Sequence, residues 1–248
     1  MCPRAGSDPF MNSYRMAIPP ALKAALKGNP FVRRQTAYKF HHAEDGKYIY
    51  KDGTIKIGRL SDFRSMEKDT LRDEYEGLEW TGFHNDRPTR LSEVDPRSSV
   101  RKVIIGNDTT TIQALSIIVP SEDLYAYCFS YECSKSVAAS FHDEVPYDSV
   151  AVCSDVFAVA DLVCRYHPVL RGSRYLCLPV TYRERLHMAD EPYASPREQA
   201  FEKPLKFEDN LEGRIVFIPP PSSRERPALP PWRHPALLRL FRPHTMPS

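Results

Sequence analysis

Two short segments of this chain carry most of its structural information: residues 127–141 (YCFSYECSKSVAASF) and residues 210–217 (NLEGRIVF). The first predicts a strand that ends at Ser130 and a short helix that begins at Ser134, a residue type favoured at helix N-caps. The second predicts a strand that opens at Glu212. Neighbouring strands place facing side chains close together, so this serine and this glutamate can border one site although they are far apart in sequence.

The composition is that of an ordinary globular protein. The chain has 248 residues, of which 42% are hydrophobic and 27% are charged, so it makes one large domain or two small ones with a substantial core. The formal net charge is only +2, from 34 basic and 32 acidic side chains. Such a balance gives no overall electrostatic attraction to nucleic acid or to a membrane surface.

The cysteine pattern and the hydrophobicity indicate the compartment. None of the six cysteines forms a C-x-x-C pair, so zinc-ligand spacing is absent, and several lie in apolar runs. The N-terminal residues show no signal-peptide pattern, and no apolar run approaches the roughly 20 residues needed to span a bilayer. We therefore expect a cytoplasmic protein in a reducing compartment that does not interact with membranes.

Hydrophobic periodicity and turn residues predict more strands than helices. Strands are expected at residues 35–42, 47–50, 54–59, 100–105, 109–119, 124–130, 149–153, 175–182 and 212–218, and helices at 21–27, 134–141, 154–165 and 195–203. Asp52-Gly53 and residues 106–108 provide hairpin turns, and residues 60–77 a charged helix–loop segment. The predicted fold class is α+β, with a mixed, mostly antiparallel split sheet and short helices.

The predicted domain organisation has three parts. Residues 1–13 form a flexible N-terminus, residues 14–219 form a single α+β domain, and residues 220–248 form a disordered tail rich in proline and arginine. Within this tail, residues 235–241 (PALLRLF) are an apolar island that could dock on the domain. Any nucleic-acid binding is expected only through the basic tail. Neither G-x-G-x-x-G nor a Walker A sequence occurs in the chain.

A carboxylate at a strand start suits glycosidic chemistry. When a bond to C1′ of a ribose breaks, positive charge develops on the ring, and a fixed anion stabilises that transition state more than the ground state. A serine at the end of a neighbouring strand can position the ribose or the carboxylate. Aromatic rings nearby can stack on the leaving base, and Tyr127, Phe129 and Phe141 are candidates.

These residues resemble motifs of the ADP-ribosyltransferase superfamily. Phe129-Ser130 followed by residues 137–141 (VAASF) is similar to the family's central serine motif. Glu212, followed by residues 215–220 (IVFIPP), is similar to its last motif, in which the catalytic glutamate precedes an apolar strand. The resemblance implies an ADP-ribosyltransferase-like fold and an enzyme that cleaves the nicotinamide–ribose bond of NAD. ADP-ribose would then pass to a macromolecular acceptor, as in a toxin or effector.

The chain is also similar to an uncharacterised bacterial family. Its members begin with Tyr-Lys-Tyr or Tyr-Lys-Phe, carry a central Cys-Phe-Ser and end in a Glu-x-Arg strand. Residues 38–40 (YKF), 128–130 (CFS) and 212–214 (EGR) match that pattern. The two resemblances are compatible and together extend over residues 36–219.

The first resemblance implies roles for individual residues. Glu212 would be catalytic, and Ser130 would support either Glu212 or the ribose, although a turn or helix-capping role for this serine stays open. The dinucleotide would be held by Lys39 or His41, the latter rather than His42 because adjacent strand residues face opposite sides.

The remaining candidate residues are aromatic or basic. Tyr38 or Tyr131 would stack on nicotinamide, while a core role for Tyr38 stays open. Arg214 lies two residues after Glu212 and so shares its face of the strand. It is either an ion-pair partner of the glutamate or a phosphate ligand.

Other functions stay open. Asn210 stands where the superfamily usually has a glutamate or glutamine, and the first strand lacks an arginine, which favours a non-catalytic interaction protein with the same fold. A defence-related toxin of another mechanism, such as a nuclease, is a further alternative. A Cys–His nucleophile is disfavoured because buried thiols have raised pKa values. Residues 142–144 (HDE) are the one dense cluster of metal-binding side chains, and a solvated loop accounts for them.

Overall fold

The fold is described by a computed structural model over residues 16–18, 36–64, 78–93, 110–120, 123–141, 147–183, 196–220 and 226–246. The strands are β1 (Ala37–His41), β2 (Thr54–Ile55), β3 (Gly58–Arg59), β4 (Leu78–Arg90), β5 (Thr111–Pro120), β6 (Tyr125–Ser130), β7 (Ser149–Cys153), β8 (Arg174–Pro179), β9 (Thr181–Tyr182), β10 (Glu202–Lys203), β11 (Glu212–Ile218), β12 (Trp232–Arg233) and β13 (Phe241–His244). The helices are α1 (Ala43–Tyr50), α2 (Leu60–Arg64), α3 (Lys135–Ser140), α4 (Val156–Tyr166) and α5 (Pro196–Gln199). Short 3₁₀ helices span Leu91–Glu93, Leu205–Asn210 and Pro235–Arg239.

The central sheet has seven strands in the order β13-β7-β1-β6-β11-β8, with β3 also paired to β6. All of its pairings are antiparallel. The chain is therefore a mixed α+β protein with a mostly antiparallel sheet and short helices, as the sequence predicted. Two further strand pairs, β4–β5 and β2–β12, are antiparallel, and β9–β10 is parallel.

The two edges of β6 are paired differently. Along one edge, six residues from Tyr125 to Ser130 pair with β11 without interruption. The other edge is shared: β3 pairs with Tyr125 and Ala126, and β1 pairs with Ser130. Among the described residues, the three positions between them, 127–129, have no strand partner on that side. We call this interruption the β6 gap.

The alternation of side chains along β6 and β11 divides the core between the two faces of the sheet. Tyr125, Tyr127 and Phe129 of β6 join Ile215 and Phe217 of β11 in the larger apolar cluster, against α4. Ala126 and Cys128 lie on the other face, in a second cluster that also contains Phe201. A third cluster, formed by Phe40, Val137, Ala138 and Val150, packs α3 against β1 and β7.

The helices begin where polar side chains satisfy their first amides. The hydroxyl of Ser134 accepts a hydrogen bond from Val137 N at the start of α3. At the start of α4 the Asp155 carboxylate accepts from the amides of Phe157 (2.9 Å) and Ala158 (3.0 Å). With Asp155 as its cap, α4 begins at Val156, two residues after the predicted start at residue 154. Among the described residues, no helix is both long and apolar enough to cross a bilayer.

One predicted hairpin is wrong. Residues 47–50 belong to helix α1 rather than to a strand, and Glu44 and Asp45 in its first turn complement the helix dipole. A Cβ at Gly46 would overlap the imidazole of His41 and approach the ring of Tyr50, so any larger residue there would force these side chains to move. The turn at Asp52-Gly53 is present, with Gly53 at φ +65°, but it connects a helix to β2.

The predicted disordered tail is also wrong over residues 226–246. Strand β13 pairs with β7 at the edge of the central sheet, over Phe241–His244. Leu237 and Phe241 are buried in the larger apolar cluster, because the apolar island docks there. The imidazole of His234 stacks between Tyr166 (4.9 Å between ring centroids) and Trp232 (5.3 Å). The folded domain therefore continues well past residue 219.

Several predictions lie outside the described residues. These are the flexible N-terminus at 1–13, the helix at 21–27, most of the charged segment at 60–77, the strand at 100–105 with its turn at 106–108, and the 142–144 cluster. The predicted strand at 109–119 is present as β5, and its partner among the described residues is β4. Sequence analysis assigned no strand at residues 78–90.

Candidate functional site

Glu212 and Ser130 are direct cross-strand partners at the ends of β11 and β6. Both are buried, with 4% and 1% of their surface exposed. The Ser130 hydroxyl donates to the Asn210 carbonyl at 3.0 Å, so it fixes the turn that leads into β11. The sequence correctly predicted that the two residues adjoin, and Ser130 acts here by positioning the glutamate's backbone.

The turn before Glu212 has an unusual backbone conformation. Leu211 lies in the left-handed region at φ 42°, which is uncommon for a branched residue and concentrates at functional sites and tight turns. Three hydrogen bonds to the main chain of this turn hold it: Tyr131 N donates to Leu211 O (3.1 Å), Val180 N donates to Glu212 O (2.8 Å) and Glu212 N donates to the Tyr182 side-chain hydroxyl (2.7 Å). The carboxylate of Glu212 is thus presented from a backbone held on both sides.

Two cations hold the carboxylate of Glu212. Lys203 Nζ donates to Oε2 at 2.7 Å, and Arg214 Nε donates to Oε1 at 2.6 Å. Burial by itself raises the pKa of Glu212, but the charges of Arg214 and Lys203 outweigh it and hold that pKa well below its usual range. Glu212 is therefore a carboxylate at every physiological pH. We call these three side chains the ion-paired triad.

Arg214 lies behind the glutamate. It is 1% exposed, and its Nη1 donates to the Ala200 carbonyl at 2.7 Å. Of the two roles that the sequence left open, the structure supports the ion-pair partner, because the guanidinium is enclosed by the protein. It does not line the cavity described next.

A cavity of about 160 Å³ lies above this turn. Its walls are largely aromatic: Tyr38, Phe40, Phe63, Phe129, Phe141 and Tyr147. Its other lining residues are Lys39, Cys128, Ser130, Lys203, Asn210 and Glu212. An engineered apolar cavity of roughly 150 Å³ in another protein binds benzene, so this volume accommodates one six-membered ring.

Lys39 lies at the β6 gap. Its Nζ donates to the Cys128 carbonyl at 2.9 Å, at one of the positions where β6 lacks a strand partner. The same nitrogen lies 5.6 Å from the ring centroid of Tyr127. Burial lowers the pKa of Lys39, and the nearby Lys203 ammonium lowers it further, while Glu212 acts in the opposite direction.

The predicted residues are only partly assembled. Glu212, Ser130, Tyr38 and Lys39 line one cavity, whereas His41, Tyr131 and Arg214 do not. His41 is buried beside Gly46 and Tyr50 under α1. Tyr131 packs against the larger apolar cluster. The predictions that His41 holds a dinucleotide and that Tyr131 stacks on its base therefore have no support from their positions.

Lys203 and Tyr147 line the cavity but were not among the predicted site residues. Lys203 is separated from Glu212 by a 3₁₀ turn, and no spacing rule connects a lysine at that distance to a strand-opening glutamate. Asn210 was noted only as a departure from a motif. It is 2% exposed, and its Nδ2 has no hydrogen-bond partner within the part of the chain that is described.

The thiols of Cys128 and Cys153 do not have the properties of nucleophiles. Burial raises the pKa of Cys128, which lines the cavity, to about 12, and it raises that of Cys153 to about 12 as well. A thiol with so high a pKa carries almost no thiolate at neutral pH. Over the described ranges, no group of three or more His, Cys, Asp or Glu side chains is arranged to hold a metal ion.

Comparison with known proteins identifies no relative. No family model, no curated protein and no solved structure matches this chain. The geometry of the cavity is therefore the basis for assigning a function.

Proposed function

We propose that the cavity binds the nicotinamide–ribose end of NAD and that the protein is an ADP-ribosyltransferase-like enzyme. The observation that carries this proposal is the shared position of the Glu212 carboxylate and the Ser130 hydroxyl in one aromatic-walled cavity. Its volume suits a single planar ring, and it lies below the roughly 300–1,000 Å³ typical of drug-sized ligands. The rest of the dinucleotide would therefore extend outside it.

Glu212 would stabilise the transition state as an anion. A carboxylate offers about four lone-pair sites, and the triad occupies two of them, so Glu212 can still accept a ribose hydroxyl. Its lowered pKa keeps it charged while positive charge develops on C1′. Ser130 would hold the turn, Tyr38 would stack on nicotinamide, and Lys39 would donate a hydrogen bond to the dinucleotide.

The reaction would break the bond between C1′ and the nicotinamide nitrogen. The bonding electrons leave with nicotinamide, and the oxocarbenium accepts a lone pair from a nucleophile of the acceptor, or from water, which loses its proton. Asn210 lies two residues before Glu212, where the superfamily resemblance implies acceptor contact. Asn210 is one of the residues that line the cavity, so it would meet the acceptor there.

The test compares two glutamates that lie four residues apart. Glu212→Gln is expected to reduce nicotinamide release from NAD by about 100- to 1,000-fold, in line with the loss of one preorganised electrostatic group. Glu208→Gln is the matched control because Glu208 is exposed on the adjoining 3₁₀ turn. Chromatography measures the nicotinamide, and thermal unfolding measures the folded fraction.

Since Glu212→Gln leaves two buried cations without their anion, Glu212→Asp is a second variant that keeps the charge. It is expected to fold and to lose most activity, because the shorter side chain withdraws the carboxylate from the cavity. If Glu212→Asp releases nicotinamide at the wild-type rate, the proposal is wrong.

A second candidate is a non-catalytic interaction protein. The observation in its favour is the triad itself: both carboxylate oxygens are paired with cations, which offsets the negative charge that an oxocarbenium would need. If millimolar NAD neither raises the unfolding temperature of the wild-type protein nor releases nicotinamide, this candidate is preferred.

A further inference from the structure

The two lysines of the cavity have different surroundings. Lys203 Nζ is paired with a carboxylate at 2.7 Å. Lys39 Nζ donates to a main-chain carbonyl at 2.9 Å, and no carboxylate is its hydrogen-bond partner among the described residues. The two oxygens of Glu212 are already engaged by Lys203 and Arg214. Within the described part of the chain, Lys39 is therefore an amine whose hydrogen-bond partner is a neutral carbonyl rather than a carboxylate.

The β6 gap brings this amine to the cavity. Lys39 and Cys128 both line it, and the carbonyl that accepts from Lys39 belongs to Cys128. In a complete ladder, the amide of a neighbouring strand would donate to that carbonyl instead. The interruption thus keeps an amino group in a partly buried position beside aromatic walls.

We infer that Lys39 is a reactive amine that forms an imine with a small planar aldehyde bound in this cavity. The lone pair of Nζ forms a bond to the carbonyl carbon as the carbon–oxygen π bond breaks. The remaining carbon–oxygen bond then breaks, the oxygen leaves as water with both protons of the amine, and the nitrogen lone pair completes the C=N double bond. The aromatic walls and the volume of about 160 Å³ select an aldehyde built on one ring.

The electrostatics of the site favour this chemistry. A lysine is nucleophilic only as the neutral amine, and desolvation next to another cation increases the neutral fraction. Burial is the main cause that lowers the pKa of Lys39, and the Lys203 ammonium adds to it, while the nearby Glu212 carboxylate acts in the opposite direction without reversing the shift. Lys203 Nζ is engaged in an ion pair with Glu212 at 2.7 Å, whereas Lys39 donates to a neutral carbonyl, so the two lysines are expected to react differently.

The experiment uses 2-hydroxybenzaldehyde with cyanoborohydride on the full-length protein at pH 7. The hydride reduces the imine to a stable secondary amine, and peptide mapping by mass spectrometry locates it. Lys39 is expected to be labelled at least about tenfold faster than Lys56 or Lys206, which are exposed. Lys203 is expected to be labelled more slowly than Lys39.

Two variants keep the result interpretable. Lys39→Arg retains a donor for the Cys128 carbonyl and cannot form an imine, so it should fold and lose the fast label. Lys56→Arg, on the exposed surface, should keep it. The proposal is overturned if Lys39 reacts no faster than Lys56, or if its rate rises between pH 7 and 10 in parallel with the exposed lysines.

The inference is independent of NAD chemistry. NAD added before the aldehyde should slow the labelling of Lys39 if the proposed function is correct. Fast labelling that NAD does not affect would support the reactive amine and count against NAD as the ligand. Slow labelling of Lys39 in a protein that releases nicotinamide would support NAD as the ligand and count against the reactive amine.

Discussion

The two edges of β6 satisfy their backbone hydrogen-bonding groups in different ways. Along the β11 edge, six consecutive residue pairs form a ladder, and the charged groups at its end form the ion-paired triad. Along the other edge the ladder is interrupted at the β6 gap, and the Lys39 amine donates a hydrogen bond to the Cys128 carbonyl. A complete edge buries charges that compensate each other, whereas an interrupted edge leaves a polar group facing a cavity.

Because of this difference, the charged groups on the β11 side are expected to contribute mainly to stability, and Lys39 at the gap is expected to be the reactive group. Glu212, Lys203 and Arg214 are fixed by short contacts to each other, and removing one member leaves the others buried without compensation. Lys39 pairs with a neutral carbonyl, and its charge is therefore the easiest of the four to remove. The comparison predicts large stability losses on the β11 side and pH-dependent behaviour at the gap.

The largest effect is expected for Arg214→Met. This change removes one cation of the triad and the donor to the Ala200 carbonyl, both from a buried position, and should cost about 3–5 kcal/mol in the free energy of unfolding. Urea unfolding at pH 7 measures it. A loss below about 1 kcal/mol would show that the triad contributes little to the fold.

The same variant should alter the acid limb of the stability curve. Because the folded pKa of Glu212 is lowered from 4.5, its contribution to stability is present above about pH 4.5 and is lost as the pH falls below it. In Arg214→Met that pKa moves back towards 4.5, so the loss between pH 5 and pH 3 should be smaller than in the wild type. Equal losses in both proteins would contradict this account of Glu212.

Phe241→Ala is an apolar reference variant, for which we expect a slightly smaller loss of stability than for Arg214→Met. The buried ring on β13 joins the larger cluster, and its truncation should cost about 3 kcal/mol. Because no charge is removed, the acid limb should keep the wild-type shape. Arg242→Ala, at the exposed neighbouring position, should change stability by less than about 0.5 kcal/mol.

Ser130→Ala tests the point where the two edges meet. Loss of the hydroxyl leaves the Asn210 carbonyl without this donor, and a cost of about 1–2 kcal/mol is expected. Ser136→Ala is the control, since Ser136 is an exposed serine on α3. If the two serine variants are equally stable in urea, Ser130 does not hold the turn before Glu212.

The smallest effect at pH 7 is expected for Lys39→Met, which should alter stability by on the order of 1 kcal/mol or less, since it removes both a desolvated charge and a hydrogen bond. Its signature is the dependence on pH. A folded pKa below 10.5 means that the folded protein binds fewer protons than the unfolded chain, so wild-type stability rises with pH up to about 10.5. The free energy of unfolding of the wild type, measured relative to that of the variant, should therefore be higher at pH 10 than at pH 7. A constant difference would indicate that Lys39 is fully solvated.

Sequence patterns predicted the middle of the fold well because local signals and burial agree there. Strands β6, β7 and β11 and helices α3 and α4 lie close to where periodicity and capping residues placed them. Residues 47–50 were expected to form a strand but belong to helix α1. The apolar pair there is compatible with a strand, but the acidic residues in the first turn of α1 stabilise a helix equally well. The C-terminal segment has a composition typical of disorder, yet a few apolar side chains between its prolines are enough to dock it.

The candidate site shows the same division. From the sequence alone, Glu212 and Ser130 could be placed at the ends of two strands, because strand ends are local properties. Tyr38 and Lys39 were placed at the site only by the resemblance to known families. Only the tertiary structure decided that Lys203 and Arg214 hold the carboxylate, that His41 turns away beneath α1, and that β6 is interrupted beside Lys39. These outcomes depend on which distant segments fill the space around each side chain, and no local pattern encodes that.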